Sequence, residues 1–261
     1  MQRITSRQNA VVAQYRAAAR GETEGILLLD GLHLVGEAVD AGLRLSHVMV
    51  SSDALERHEI TRLLHLLPHD TDVASAPAPV MDAVSPVRSS SVIVALGHRP
   101  VDVVDPFGNP AALVVVLCDV QDPGNVGAIV RVAEGAGASG VVVAGQSADP
   151  FGWKALRGSM GSALRLPIER VAEVRDAVAS AKRRGAQTVA TVPYGGVSLF
   201  DAQFVGPTAL LIGGEGGGIP SDLIERADAR VTIPMNAPVE SLNAAVAAAV
   251  LLYEARRQRT P

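Results

Sequence analysis

Short apolar runs alternate with amphipathic segments through the first part of the chain. The predicted strands lie at 25–29, 46–50 and 91–96, and the predicted helices lie near residues 11–15, 32–41 and 55–67. Strands and helices that alternate at this spacing indicate a small α/β layer. We place this first domain at residues 1–97.

Fully apolar strands dominate the rest of the chain. They lie at 113–118, 140–144, 187–192, 208–212 and 230–233. Segments with helical periodicity separate them, and apolar strands joined by helical crossovers predict a parallel sheet covered on both faces. We place this second α/β domain at residues 111–261. The stretch 98–110 is rich in Pro, Gly and Asn without a sustained period, which predicts a linker.

Composition narrows the setting of the protein. The chain has 261 residues, a net charge of −4 and one cysteine, so an intrachain disulfide is excluded. Apolar runs stay short of the roughly 20 residues that a membrane span needs, and the N-terminus lacks the apolar core of a signal peptide. These features predict a reduced, cytoplasmic protein with no membrane partner.

Three segments of the second domain share one design, in which a strand runs into a polar loop. They are 113–131, 210–220 and 231–259. In the third segment Ser241 is the expected N-cap of the following helix, which would place Leu242 and Asn243 in its first turn. Taken alone, this segment is also compatible with a well-capped structural helix.

The three loops carry specific residue patterns. The first contains Asp-Pro-Gly-Asn-Val-Gly at 122–127, followed by Arg131, and the second contains Gly-Gly-Glu-Gly-Gly-Gly at 213–218. The third contains Ile-Pro-Met at 233–235 and Ser-Leu-Asn at 241–243. In this order they resemble the signature motifs of the SpoU (TrmH-like) family of SPOUT RNA methyltransferases.

The resemblance implies a fold and a reaction. The fold is a C-terminal SPOUT domain, a parallel sheet flanked by helices that ends in a trefoil knot. The reaction is transfer of a methyl group from S-adenosyl-L-methionine to a ribose 2′-hydroxyl of RNA. Ribosomal RNA is favoured over transfer RNA, a homodimer is expected, and DNA is not an expected partner. The sequence at 29–42 resembles the family's N-terminal substrate-binding domain, which has the fold of small ribosomal RNA-binding proteins.

The resemblance also assigns residues. Those carried over as catalytic or pocket-shaping are Arg131, Asn125, Glu215, Ser241 and Asn243. Those carried over as cofactor-binding are Gly213, Ile233 and Leu242. Two positions depart from the family pattern: Gly214 stands where many relatives carry Asn, and Ala245, just after Ser-Leu-Asn, stands where Ser is common.

Arg131 is the central candidate. Helical side chains lean toward the N-terminus, so Arg131 is expected to lie over Gly127 and to present its guanidinium to a phosphate near the loop 122–125. The family proposal is that the arginine, tuned by substrate phosphate, activates the hydroxyl, and an equally viable form has it only orient the phosphate. The structural alternative is a surface ion pair between Arg131 and Glu134.

Other basic residues suggest contacts with RNA. The candidates at the start of the chain are Arg3, Arg7, Arg16 and Arg20. Further basic clusters lie at 182–184 and 256–259. Solvated helix faces are the alternative reading of each cluster. Because only 3% of the residues are aromatic, the composition argues against a base-stacking platform.

Competing chemistries find little support. The Gly-x-Gly-x-x-Gly at 135–140 follows a predicted helix and precedes a strand, the reverse of a dinucleotide site, and instead predicts a helix end and turn. The loop 213–218 lacks the Lys of a P-loop. Every histidine lies at or before His98, so no metal site is expected in the second domain. Cys118 lies in an apolar strand as an inert thiol, and Asp119 and Asp122 are read as turn-formers.

Two alternative functions stay open. A noncatalytic RNA-binding protein could keep the methyltransferase fold, although retention of the polar motif residues argues against it. An unrelated α/β enzyme for small molecules would show no dependence on RNA.

Overall fold

The computed structural model describes residues 1–100 and 104–260. The strands are β1 (Gln2–Arg3), β2 (Ile26–Asp30), β3 (Leu45–Ser51), β4 (Asp72–Ala76), β5 (Ile93–His98), β6 (Leu113–Cys118), β7 (Gly140–Ala144), β8 (Ile168–Val171), β9 (Gln187–Thr191), β10 (Val197–Ser198), β11 (Thr208–Gly213) and β12 (Ala229–Thr232). The helices are α1 (Ala10–Arg20), α2 (Leu32–Asp40), α3 (His58–Leu66), α4 (Ala78–Val84), α5 (Pro123–Gly135), α6 (Trp153–Ser159), α7 (Val174–Arg183), α8 (Ser221–Arg226) and α9 (Ala244–Arg259). Within the described ranges, none of these helices combines the length and apolarity of a membrane span.

The chain divides into two compact units. Unit 1 comprises Met1–Val101 and Phe151–Arg165, and unit 2 comprises Asp102–Pro150 and Leu166–Pro261. The segment 151–165 corrects the sequence-based boundaries, which place it in the second domain. Its helix α6 packs against β2 and buries Leu156, and its Arg165 forms an ion pair with Glu37. Arg165 and Glu37 are 128 positions apart in the sequence, so no local pattern could reveal the contact.

Unit 1 contains a five-stranded sheet in the order β1-β4-β3-β5-β2. Strand β5 is antiparallel to both of its neighbours, and the other pairs are parallel. The predicted strands at 25–29, 46–50 and 91–96 are confirmed as β2, β3 and β5 to within a few residues. Strand β4 and helix α4 were not predicted, because the small residues of β4 and the short length of α4 leave weak periodic signals.

Unit 2 contains a seven-stranded sheet in the order β10-β12-β9-β11-β6-β7-β8. Every pairing recorded in this sheet is parallel. The prediction of a parallel sheet flanked by helices is therefore confirmed, and the five predicted strands correspond to β6, β7, β9, β11 and β12. Strands β8 and β10 escaped prediction because β8 is only half-buried and β10 has two residues.

The glycines at 135–140 form a helix end and a turn, as predicted. Helix α5 ends at Gly135, and Gly137 follows in the left-handed region with a φ of 80°. The Ala138 N–H donates to the carbonyl of Ala133 at 2.9 Å. This closure satisfies the last carbonyls of α5 and turns the chain into β7.

The three polar loops follow strands of the same parallel sheet. Strands β6 and β11 are direct neighbours, and β12 is separated from β11 only by β9. Because the carboxyl ends of parallel strands meet at one edge of the sheet, the loops after β6, β11 and β12 emerge on the same side. The candidate site lies at this edge.

Candidate active site

The loop after β6 is fixed by two aspartates. Asp122 caps helix α5, and its Oδ1 accepts a hydrogen bond from the Asn125 N–H at 2.8 Å. Asp119 has a left-handed backbone with a φ of 57°, and its Oδ1 accepts the Gln146 N–H at 2.7 Å. Both residues shape the turn, as the sequence predicted. The turn holds Asn125 in a defined position at the start of the helix.

Asn125 connects the three motifs. Its Nδ2 donates to Glu215 Oε1 in the glycine-rich loop. Its Oδ1 accepts a hydrogen bond from Asn243 Nδ2, in the loop after β12, at 3.0 Å. Glu215 and Asn243, which lie 90 and 118 positions from Asn125 in the sequence, thus both bond to its side-chain amide. Because both ends of the amide are engaged, its orientation is set by its partners.

The start of helix α9 differs from the sequence expectation. Asn243, not Ser241, is the N-cap, and its Oδ1 accepts the N–H groups of Ala245 at 2.9 Å and Val246 at 3.3 Å. Ser241 and Leu242 therefore lie in the preceding loop and not beside the first turn. Ser and Asn cap helices about equally well, so the additional hydrogen bond from Asn243 to Asn125 favours the later start.

A cavity of about 590 Å³ opens at this edge of the sheet. Its lining includes Gly213, Ile233 and Leu242, the three residues assigned to the cofactor, together with the polar candidates Glu215, Ser241 and Asn243. The volume is in the range of small-molecule sites in proteins. The sequence-predicted residues of the second and third loops thus share one cavity.

Strand β9 contributes a part of the cavity that sequence reasoning missed. Thr191, Val192 and Pro193 line it from the carboxyl end of this strand. None of them belongs to a motif, and Thr191 Oγ1 is engaged with the carbonyl of Leu211 at 2.8 Å. Only their place in the sheet could have indicated these residues, because β9 is a central strand and ligands bind at the carboxyl ends of such strands.

Bare backbone forms one wall of the cavity. A Cβ atom on Gly213 would lie 2.6 Å from the Gly218 carbonyl carbon. A Cβ atom on Gly214 would collide with the Asp119 carbonyl oxygen, and the Gly214 N–H already donates to Cys118 O at 2.8 Å. The departure from the family pattern at Gly214 is therefore built into this backbone arrangement.

Arg131 lies outside the cavity lining, on the exposed side of α5. The same helix buries Val126, Gly127, Ile129, Val130 and Ala133, in agreement with the predicted face. Within the described part of the chain, no hydrogen bond or ion pair is recorded for Arg131. Its guanidinium is available to an external ligand.

The four arginines at the start of the chain differ in their contacts. Arg20 is held by Glu22 through two hydrogen bonds of 2.6 Å, and Arg16 Nε donates to the Ala83 carbonyl at 3.3 Å. Arg3 and Arg7 are exposed. The structure therefore leaves Arg3 and Arg7 as the stronger candidates for contact with RNA, and that role stays a prediction.

The other basic clusters are largely structural. Lys182 pairs with Asp228 at 2.8 Å. Burial alone would raise the pKa of Asp228, but hydrogen bonds from Lys182 and Thr188 outweigh burial and lower this pKa to about 2. Arg259 donates to the carbonyls of Phe204 at 2.6 Å and Ala111 at 2.5 Å. Lys182 and Arg259 are thus engaged in contacts within the protein.

Two further expectations concern competing chemistry. Cys118 is fully buried in β6, in agreement with the predicted apolar position, and burial together with the charge of Asp119 raises the pKa of its thiol to about 12. Among residues 1–100 and 104–260, no group of three His, Cys, Asp or Glu side chains is arranged to hold a metal ion.

Comparison with known proteins identifies the family. The model of the SpoU rRNA Methylase family matches residues 112–253. A 23S rRNA (uridine(2479)-2'-O)-methyltransferase from Streptomyces viridochromogenes is 34% identical and covers 98% of this chain and 92% of its own length. The 23S rRNA (guanosine(2553)-2'-O)-methyltransferase RlmP from Bacillus subtilis is 30% identical over 88% of each chain.

A solved structure supports the same conclusion. The SpoU methyltransferase AviRb from Streptomyces viridochromogenes, in complex with the cofactor AdoMet, superposes with a TM-score of 0.85 at 31% identity. The match covers 96% of this chain and 98% of that chain. Since the family model spans more than half of the sequence and these likenesses span nearly all of it, the chain belongs to the SpoU rRNA Methylase family.

Proposed function

We propose that this protein is an S-adenosyl-L-methionine-dependent methyltransferase that modifies a ribose 2′-hydroxyl in ribosomal RNA. The observation that carries the proposal is the hydrogen-bonded set of Asn125, Glu215 and Asn243, which joins three loops beside a cavity of cofactor size. The named activities of the 23S rRNA relatives give the substrate class.

The cavity suits the cofactor. At Gly213 the absence of a side chain lets the Gly218 backbone pack closely, and this glycine-rich backbone lines the cavity. Ile233 and Leu242 offer apolar surface for an adenosine moiety, and Glu215 and Asn243 supply polar groups at the same cavity. When bound, S-adenosyl-L-methionine supplies a methyl group activated by a positively charged sulfur.

The chain's own residues then have to position the ribose hydroxyl and help it to lose its proton. Asn125, held between Glu215 and Asn243, presents a fixed amide beside the cavity. Ser241 lies in the cavity wall, where its hydroxyl is available to substrate. These side chains form a preorganised polar edge that does not have to reorient during the reaction.

Arg131 acts on the phosphate of the substrate. A protonated guanidinium has only donors and accepts no proton, so the form in which Arg131 activates the hydroxyl would require it first to lose its own proton. In the simpler form of this proposal, Arg131 only orients the phosphate, through parallel hydrogen bonds from its planar guanidinium fork. Arg131→Lys keeps the charge but loses the fork, and full turnover by this variant would contradict both forms.

The test is transfer of labelled methyl to ribosomal and transfer RNAs that lack native modification. We expect label in ribosomal RNA, at a single alkali-resistant dinucleotide, and loss of that label in Arg131→Ala. Arg175→Ala is the matched control, because Arg175 is a highly exposed arginine on α7, paired only loosely with Glu173 at 3.6 Å.

Each other outcome selects an alternative. Label in transfer RNA alone would make the protein a transfer RNA methyltransferase. Binding of RNA without cofactor binding or methyl transfer would indicate a noncatalytic RNA-binding protein. Methylation that requires no RNA would contradict the proposal altogether.

A homodimer is part of the proposal. Val246, Val250 and Tyr253 project from one face of α9 and are 50%, 38% and 54% exposed. Apolar side chains at this helical spacing form a stripe that a second copy could cover. Sedimentation of Val250→Asp should show a shift toward monomer, whereas Val205→Asp, at an exposed apolar position in the β9–β11 connection, should leave the wild-type state unchanged.

The finer features implied by the family stay proposals. They are the trefoil knot in unit 2, the RNA-binding role and ribosomal-protein-like fold of residues 1–97, the linker at 98–110, and the cytoplasmic location. Membership of the SpoU rRNA Methylase family supports the knot, and the ribosomal RNA substrate supports the location. The double variant Arg3→Ala, Arg7→Ala should weaken binding of RNA while binding of cofactor is unchanged, because both arginines are exposed on the first unit.

A further inference from the structure

Two aromatic side chains stand out on the surface of unit 2. The chain has four Phe, three Tyr and one Trp. Tyr194 and Phe200 are 66% and 69% exposed, and both lie in the connection 192–207 between β9 and β11, which contains β10. Rings that are this exposed bury little apolar surface and therefore stabilise the fold little. Their exposure suggests that they contact a ligand.

The connection begins in the cavity wall. Pro193 lines the cavity, and Tyr194 is the next residue. Tyr194 therefore leaves the cavity wall along the chain, and its exposed ring is close enough in sequence to meet RNA that enters the site. The place of Tyr194 in the chain thus links it to the site already described.

The connection is also firmly anchored. Strand β10 pairs with β12, and the Leu199 N–H donates to the carbonyl of Thr232 at 2.9 Å. The Gly196 N–H donates to Thr232 Oγ1 at 3.0 Å, and Leu199 itself is buried. Phe200 follows this anchor directly. Rings on such a fixed support lose little entropy when they bind a flat partner.

A cation accompanies the rings. Gly196 packs on the backbone of Arg230, and the Arg230 side chain is exposed. Arg230 forms no ion pair within the part of the chain that the structure describes. Exposed aromatic rings in this connection and an exposed arginine on the strand that it packs against match the chemistry of unpaired RNA, in which bases stack and phosphates are neutralised.

We propose that Tyr194 and Phe200 form a stacking platform for an unpaired base of the substrate RNA, with Arg230 at a neighbouring phosphate. The proposal rests on the RNA methyltransferase function proposed above and adds residues outside its motifs. It also revises the expectation from composition, because a chain poor in aromatic residues still exposes two of them in the connection that follows the cavity-lining end of β9.

The test compares methyl transfer by Tyr194→Ala, Phe200→Ala and the double variant. We expect the KM for ribosomal RNA to rise about tenfold for each lost ring, which is the affinity of roughly one base stack. The kcat and the Kd for S-adenosyl-L-methionine should stay within about twofold, because the cavity itself is unchanged. Val205→Ala is the matched control, since Val205 is 61% exposed in the same connection but carries no ring.

Conservative variants separate stacking from folding. Tyr194→Phe and Phe200→Trp keep a flat ring and should retain a KM close to the wild-type value. Arg230→Ala should weaken binding and make the salt dependence of RNA affinity shallower by about one phosphate contact. A wild-type KM in the double alanine variant would overturn the platform.

Direct RNA binding keeps the outcome independent of catalysis. If the wild-type protein binds ribosomal RNA but transfers no methyl group, the proposed function fails, and the platform is then judged by RNA affinity alone. A loss of affinity in the double variant would support it. Unchanged affinity together with an altered sedimentation coefficient would overturn it and assign the rings to a protein interface.

Discussion

Helices α5 and α9 pack against each other, and each begins with a side-chain cap. One cap bonds only within its own helix, whereas the other also bonds to the neighbouring helix. Asp122 accepts one N–H of its own helix. Asn243 accepts two N–H groups of its own helix and also donates to Asn125 at the start of the other. A carboxylate only accepts, whereas an amide accepts and donates. The residue type at a cap therefore decides whether the cap stays local or joins two motifs.

Removal of Asn125, the residue that receives the long-range bond, should have the largest effect. Asn125→Ala disconnects Asn243 from Glu215, and misplacement of groups in an active site costs about a hundredfold in rate. We expect the kcat for methyl transfer to fall by about this factor. The loss of stability should be only about 1 kcal/mol per hydrogen bond, measured by denaturant unfolding.

An exchange of the two cap types comes next. Asn243→Asp keeps an acceptor for the helix but cannot donate to Asn125, so activity should fall about tenfold at nearly unchanged stability. The reciprocal Asp122→Asn also keeps its cap and has no such bond to lose, so its activity should stay within about twofold of wild type. Equal activity of the two variants would show that the long-range bond is dispensable.

Loss of the local cap alone should affect stability more than rate. Asp122→Ala leaves the Asn125 N–H without its acceptor and should lower the free energy of unfolding by about 1 kcal/mol. The connection of Asn125 to Glu215 and Asn243 stays in place. Urea unfolding measures the change, and a loss of activity as large as that of Asn125→Ala would contradict the separation of the two roles.

The smallest effect lies at the other end of α9. Hydrogen bonds from Arg257 and Gln258 lower the pKa of Glu254 to about 2 despite some opposing burial. A carboxyl group whose pKa is lowered by folding stabilises the folded state at pH values above its unfolded pKa of about 4.3. This stabilisation is lost as the pH falls toward 2. Glu254→Gln should cost less than about 1 kcal/mol at pH 7 and almost nothing at pH 2. Unfolding measured at both values tests this, and an equal cost at both would contradict it.

Sequence reasoning succeeded where the determinant was periodic or motif-based. The apolar pattern predicted the strands of unit 2, and the resemblance to the SpoU family assigned Asn125, Glu215 and Asn243 to one pocket, where the structure joins them by hydrogen bonds. The cofactor residues also share one cavity. Their catalytic and binding roles are still predictions.

Errors arose where a distant contact decided between local options. Ser241 and Asn243 are both good caps, and a bond to a residue 118 positions away accompanies the choice of Asn243. The segment 151–165 has helical character in either unit, and its partners in unit 1 decide its place. The four N-terminal arginines look alike in sequence, yet Glu22 and the Ala83 carbonyl engage only Arg20 and Arg16.

The close approach of Gly214 to Asp119 limits how this protein can evolve. Any side chain at position 214 would meet the Asp119 carbonyl, whose position depends on a left-handed backbone. We therefore expect an asparagine at position 214 to be tolerated only if the backbone at Asp119 shifts. The two positions should then be coupled, so that the order of their substitutions decides which sequences descendants of this chain can reach.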